Sequence, residues 1–289
     1  MNEFAILTDS AADLPYSMIE ELDIAVASMR FTVQGRERVD WPDHWELPPN
    51  EFYDLLRQGE TATTSALNVH DYMEYMTPLL NVGRDVLALV FSSGLSTTYQ
   101  SCVLAAQELR EQYPERKIIV VDTLCASMGE GLLVWYAAQQ RAQGKTIEQV
   151  RDWVEENKSR LCHWFTVDDL IHLKRGGRVS AATALVGTML SIKPVLHVDD
   201  EGHLISMGKA RGRAASLKAL VDKMEQTAIE PEKQTIFISH GDCAEDARKL
   251  AGMVKERFGV EPVVGVIGPV IGAHSGPGTL ALYFLGKER

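Results

Sequence analysis

Five short segments carry the residue types best suited to holding a small anion. Ser92-Ser93-Gly94-Leu95-Ser96 stands where the apolar run Val86 to Phe91 gives way to a helical pattern. Hydroxyls and backbone N–H groups at such a handover face a ligand, and a helix N-terminus favours negative charge. The same residues read equally as a plain helix cap. A nucleophilic serine is disfavoured, because the G-x-S-x-G elbow is absent and no His/Asp partner order is evident. Thr64-Ser65, inside TATTSALN, is a second hydroxyl pair in what reads as a polar loop. Lys174-Arg175-Gly176-Gly177-Arg178 sets three cations around two glycines, either a solvated turn or a clamp whose glycines allow close backbone approach. Arg211 and Arg213 follow a predicted strand, and the planar guanidinium suits a carboxylate or phosphate, although arginines at helix starts are common. His274 sits in Gly268 to Gly278, a glycine- and proline-rich stretch that reads as a shaped loop. A lone loop histidine is more often structural, and none of the histidines shows metal-ligand spacing. The chemistry on offer is anion binding, without metal, P-loop or nucleophile signatures.

The elements that position these segments alternate in type. Phe4 to Leu7, Ile24 to Val33, Val86 to Phe91 and Ile118 to Val121 read as strands, with helices over 14–22, from about His70, and over 129–142 and 147–160. Strands this apolar are buried on both faces, the habit of a parallel sheet covered by helices. Three of them finish in polar residues, Thr8-Asp9-Ser10, Ser92-Ser93-Gly94 and Asp122-Thr123, and ligands bind outside the carboxyl ends of such strands. Residues 39–50, with Trp41 and Trp45, read as a loop with its own aromatic packing. The second half has a helix over 181–190, hairpin grammar over 194–209 around Asp200-Glu201-Gly202, helices over 213–228 and 243–257, strands over 235–239 and 262–266, and an apolar run, Leu280 to Leu285. The expected fold class is α/β in two domains: 1–160 with a mostly parallel sheet and flanking helices, and 161–289 with a mixed sheet and helices.

Bulk properties narrow the partners. The 289 residues carry a formal net charge of −11, so the chain as a whole repels nucleic acid and anionic membrane surfaces. The first ten residues show no basic n-region, and no stretch approaches the ~18 apolar residues of a spanning helix. Membrane contact, if any, is therefore expected to be transient. Cys102, Cys125, Cys162 and Cys243 form no C-x-x-C pair, which fits buried thiols and a cytoplasmic location.

Taken in order, several motifs resemble one known family. They are TDS at 8–10, TS at 64–65, SSGLS-x-TYQS at 92–101, VVDT at 120–123 followed by Ser127-Met128-Gly129, DDL-x-x-LKRGGRVS at 168–180, IKP at 192–194 and GPVIGAHSGPG at 268–278. This series is similar to the DegV family over essentially the whole chain. The resemblance implies a lipid tunnel between two α/β domains and a long-chain fatty acid as ligand, with no cofactor. It implies a carrier rather than an enzyme, the fatty-acid-binding subunit of a fatty acid kinase. A separate ATP-binding, DAK-like kinase subunit would phosphorylate the carboxylate for phospholipid synthesis. Carried over by position, Thr64 and Ser93 match the carboxylate-binding hydroxyls and His274 the histidine of that pocket. Ser65, Ser92 and Ser275 are further members. Arg211 matches the basic residue needed for kinase action, and Arg175 lies in the basic turn near the interface. Leu185 to Leu190, Ile192, Val195 and Leu196 are apolar material for the tunnel. Two departures stand out: Ala66-Leu67 where the family has a proline after the TS pair, and Thr97 where it has glycine. The alternatives are a stand-alone serine hydrolase or small-carbonyl kinase, and a lipid-sensing regulatory module.

Overall fold

The computed structural model describes residues 4–179 and 192–289, and the helix expected over 181–190, with Leu185 to Leu190, lies outside the described residues. Three sheets organise the described chain. The first is parallel. In chain order its strands are β1 (Phe4–Asp9), β2 (Ile24–Ala27), β6 (Asp85–Val90) and β7 (Ile118–Asp122), and in space β2-β1-β6-β7. Every residue of β1 is buried, because helices cover both faces of the sheet. On one face lie α3 (Val69–Asn81) and α4 (Thr98–Gln112), where Tyr72, Met76, Cys102 and Ala105 pack on Val86 and Ala88. Helix α3 starts at a capping box, Asn68 with Asp71, which satisfies two N–H groups that the first turn would leave bare.

The second sheet is mixed. It holds β8 (Leu161–Thr166), β9 (Ile192–Val198), β10 (Leu204–Arg211), β11 (Phe237–His240), β12 (Val263–Val266) and β13 (Leu280–Leu285), in the spatial order β10-β9-β8-β13-β11-β12. The last strand of the chain sits inside the sheet, antiparallel to both β8 and β11. Helix α5 (Met128–Ala142) packs between the two sheets, touching β1 and β6 on one side and β8, β11 and β13 on the other. One core cluster therefore runs from Ile6 and Leu87 through Leu132 and Leu133 to Phe165 and Phe237. The far face of the mixed sheet is covered by α8 (Arg213–Thr227) and α9 (Ala244–Phe258). Val195 and Leu196, offered above as tunnel material, are core residues of the two sides of this sheet.

Three segments differ from the sequence reading. Ile24 to Val33 is two strands, because at Ser28-Met29 the chain leaves the parallel sheet for a small antiparallel one of β3 (Arg30–Val33), β4 (Arg36–Val39) and β5 (Ala62–Ser65). The Ser10 hydroxyl holds that break open by accepting the Met29 N–H at 3.0 Å. The TATTS segment is β5 rather than a loop, since its β-branched threonines pair with β3, Thr64 opposite Phe31. Residues 269–275 form helix α10 (Pro269–Ser275) rather than a loop, with Pro269 at the first turn and Gly276 beyond the end.

Candidate functional site

Between the two large sheets lies a cavity of about 690 Å³, within the roughly 300–1,000 Å³ range of small-ligand sites. The carboxyl ends of β6 and β7 supply Phe91, Ser93, Ala126 and Ser127, the position where open α/β sheets bind ligands. Helix α10 contributes Val270, Ile271, His274 and Ser275; the small sheet gives Thr64, and the mixed sheet gives Phe165, Ala281 and Tyr283. Most of this wall is hydrocarbon. One group of its polar residues stands where α10 meets β5.

There Thr64 Oγ1 lies 2.8 Å from His274 Nε2. Among the described residues, His274 Nδ1 and Ser275 Oγ are buried with no hydrogen-bond partner. Such atoms are costly to leave bare; Nδ1 faces Gly176, while Ser275 stands on the cavity wall with its hydroxyl unengaged. Burial, assisted by the nearby Arg178 guanidinium, pushes the His274 imidazole down to about 4, so the ring is neutral at pH 7. Its position depends on Gly176 across the way: a Cβ there would stand 2.3 Å from His274 Nδ1. Ser93 lines the same cavity and is exposed toward its opening, with its own N–H donated to Asp122 Oδ1 at 3.2 Å.

Four other residues named from the sequence do not line the cavity. Ser65 follows Thr64 on a strand, so its side chain turns the opposite way and is exposed. Ser92 is fully buried as a structural tether, donating to Gly202 O at 3.0 Å and accepting the Gly94 N–H at 3.1 Å. Arg175, on the short helix α7 (Ile171–Arg175), is exposed because it follows the buried Leu173 by two positions on a helix. Arg211 ends β10 opposite Ile192 and is also exposed. The cation at the cavity is instead Arg178. It is half-buried, donates from Nε to Leu95 O at 3.3 Å and from a second nitrogen to Gly176 O, and so joins the basic turn to the Ser92–Ser96 turn. The sequence held one signal for it: among the three cations of that turn, Arg178 alone precedes a buried strand-like residue, Val179.

A second, far smaller cavity of about 20 Å³ lies at the other end of α10, lined by Asp9, Asp13, Asp40 and His44. Asp199, Glu201 and His203 place ligand atoms within 4.8 Å of one another, but Asp199 Oδ1 already accepts the N–H groups of Glu201 and His203 and shapes the β9–β10 turn. Among the described residues, no helix is long and apolar enough to cross a membrane.

With this geometry in hand, comparison with known proteins is decisive for kinship. The DegV family model matches residues 3–287. The chain belongs to the DegV family. A DegV domain-containing protein of Clostridium perfringens is 48% identical over 290 residues, covering 100% of this chain and 99% of that relative. Among solved structures, a DegV lipid-binding protein of Thermotoga maritima superposes with a TM-score of 0.87 at 31% identity, covering 99% of each chain. A fatty-acid-binding DegV family protein of Thermus thermophilus gives 0.86 at 30% identity, over 98% of this chain and 99% of the other. The α/β fold with one parallel and one mixed sheet is therefore the DegV fold.

Proposed function

We propose that this DegV protein holds one long-chain fatty acid in the large cavity, its carboxylate among Thr64, Ser93, His274 and Ser275, with Arg178 supplying positive charge nearby. The observation that carries this reading is the Thr64–His274 pair beside the unpartnered Ser275 hydroxyl, on the wall of a mainly apolar cavity. The names of the Thermotoga and Thermus structures support it. Magnitudes divide the labour. Each buried CH₂ contributes about 0.8 kcal/mol, so a 16-carbon tail gains roughly 10 kcal/mol before ordering costs offset several of them. A hydrogen bond to a charged carboxylate adds about 1.5–3 kcal/mol. The tail sets affinity, and the polar end sets orientation.

In the same proposal the two lobes, 1–160 and 161–289, close on the ligand, and the protein acts in the cytoplasm as the carrier subunit of a fatty acid kinase. A separate ATP-binding subunit phosphorylates the presented carboxylate for phospholipid synthesis. Exposed Ser93 at the cavity opening and exposed Arg211 at the end of β10 are the residues assigned to that encounter. The hydrolase alternative needs Ser93 bonded to a histidine base, whereas His274 Nε2 is engaged with Thr64.

Native mass spectrometry of the purified protein is the direct test, with one fatty acid retained per chain as the expected result. His274→Ala should weaken binding of a fluorescent fatty acid roughly ten- to hundredfold without unfolding the protein. A chain that carries no acid and takes none up would end the carrier reading. Arg211→Ala is expected to bind normally and to slow acyl-phosphate formation by the kinase subunit; unchanged turnover would remove Arg211 from the encounter.

A further inference from the structure

The cavity has a second polar stretch that a plain alkyl tail does not need. Thr279 and Tyr283 both line it, and four steps of extended chain lead from one to the other, a span of roughly 13 Å. Thr279 lies at the head-group end, its hydroxyl donating to Ser275 O at 2.9 Å. At the Tyr283 end, Ser127 and His163 join the lining. These hydroxyls belong to a buried relay. Asp13 Oδ2 and Ser127 Oγ are 2.5 Å apart, Ser127 Oγ and Ser239 Oγ 3.2 Å, and Ser239 Oγ and Tyr283 Oη 2.9 Å. The other carboxyl oxygen, Asp13 Oδ1, accepts the Gly268 N–H at 2.8 Å, so any proton on this acid sits on Oδ2, facing Ser127.

Counting protons along the relay gives a mismatch. Three contacts consume three protons. With Asp13 protonated, the state that burial favours by pushing its carboxyl up to about 8, there are four, and the spare O–H falls to the terminal member, Tyr283. With Asp13 ionised there are three, all pointing toward the carboxylate, and Tyr283 is left with free acceptor capacity. In either state Tyr283, on the cavity wall and far from the carboxylate site, keeps capacity for one more hydrogen bond, as does the Ser127 oxygen that lines the wall beside it.

We infer that the cavity is built to accept a fatty acid with a hydroxyl group near the middle of its chain, held by the Tyr283 hydroxyl at the end of the Ser127–Ser239 relay. A hydroxyl both donates and accepts, so it fits Tyr283 in either protonation state of the relay. This rests on the reading that the carboxylate lies at Thr64 and His274, which fixes the end from which the chain is measured.

The test compares octadecanoic acid with three monohydroxy derivatives, carrying the group beside the carboxyl, at mid-chain, or on the terminal carbon. Each displaces a fluorescent fatty acid from the intact protein. The mid-chain isomer is expected to bind at least as tightly as the parent, and the isomer carrying the group on the terminal carbon about tenfold or more weaker, because its hydroxyl is buried unpaired. Tyr283→Phe should lower the affinity of the mid-chain isomer relative to octadecanoic acid about tenfold. Should that variant fail to fold, the ranking of the isomers by the wild type decides alone. Equal affinity for all three isomers, or equal loss of parent and mid-chain acids in the variant, would overturn the inference while leaving the carrier reading intact. Failure of the wild type to bind octadecanoic acid would overturn both.

Discussion

Helix α10 has a polar cluster at each end, and the two differ in how they are answered. At its start, two carboxylates are answered by the chain itself: Asp13 accepts the Gly268 N–H, and Asp9 accepts the N–H groups of Ala11 and Phe91 at 3.0 Å each. A third, Asp40, has His44 Nδ1 at 3.4 Å, and neither of its carboxyl oxygens makes a hydrogen bond among the described residues. The space left there, about 20 Å³, is of the order of one water. At the other end, His274 and Ser275 line a cavity of about 690 Å³, and the Ser275 hydroxyl has no partner among the described residues. Burial dominates the charge state in both places: it pushes Asp9 up to about 7 and Asp13 up to about 8, and pushes His274 down to about 4. Density of titratable groups is therefore a poor guide to a binding site. The acid-rich end fixes the first strand and its 3-10 turn to α10, while the sparse end is left for a ligand.

The sharpest way to break this contrast is Gly176→Ala. A Cβ at that position would lie 2.3 Å from His274 Nδ1, and the imidazole must turn or shift, which disturbs its 2.8 Å contact with Thr64. Fatty acid affinity should fall roughly tenfold or more, read by displacement titration, with the melting temperature little changed because the ring has an open cavity to turn into. Undiminished affinity would show that the His274 position does not matter to the head group.

The acid-rich end makes its own, smaller prediction, in pH and stability. Asp9 and Asp13 carry folded values of about 7 and about 8 against an ordinary 3.8, so between those limits the folded chain binds more protons than the unfolded one. Their contribution is fully present below pH 4 and is lost as pH rises through 7 to 8, at up to about 1.4 kcal/mol per pH unit for each group. His44, raised by its contact with Asp40 despite burial, works in the same direction. His274 and His197, both lowered from 6.5 to about 4, work in the opposite direction, and their loss of stability occurs as pH falls below 6.5. The window from about pH 6.5 to 8 thus holds the raised groups, Asp9, Asp13 and His44, and excludes the lowered histidines. Denaturant midpoints should decline across it in the wild type, and Asp13→Asn should flatten the decline. An identical slope in the variant would mean that Asp13 is ionised in the fold.

How much of this was legible in the sequence depends on what each residue must touch. The parallel sheet was legible because β1, β6 and β7 are apolar on both faces and end in polar residues, a pattern that burial between helices imposes. Thr64 and His274 were named through the family's motif order and not by their local surroundings, since a threonine in TATTS and a histidine among glycines are ordinary on their own. Helix α10 was misread although Pro269 and Gly276 mark its ends, because its seven residues contain a glycine and too few turns for a periodic signal. The split of Ile24 to Val33 was invisible for a different reason: both pieces are β-forming, and only the Ser10 and Asp40 contacts to Met29 reveal the change of sheet. Arg178 was passed over in favour of Arg175 because three neighbouring cations are alike in type, and only the fold decides which one turns inward.

Ser92 and Ser93 give the finest version of the same contrast, within one dipeptide. Ser92 is answered on both sides by backbone, its hydroxyl clamping the Gly202 carbonyl in the β9–β10 turn and receiving the Gly94 N–H. The clamp leaves no room for a larger neighbour, since a Cβ on Gly202 would stand 2.1 Å from the Ser92 oxygen. Ser92→Ala therefore removes two hydrogen bonds and strands a backbone N–H, for a loss of about 1–2 kcal/mol in denaturant titration. Fatty acid affinity should stay within about twofold, because the residue does not line the cavity. Ser93→Ala should do the reverse, sparing stability and weakening the hold on the carboxylate. Were the two variants to swap these effects, the carboxylate would have to approach from the Ser92 side of the turn, and the polar end of the cavity would have to be redrawn around the hairpin.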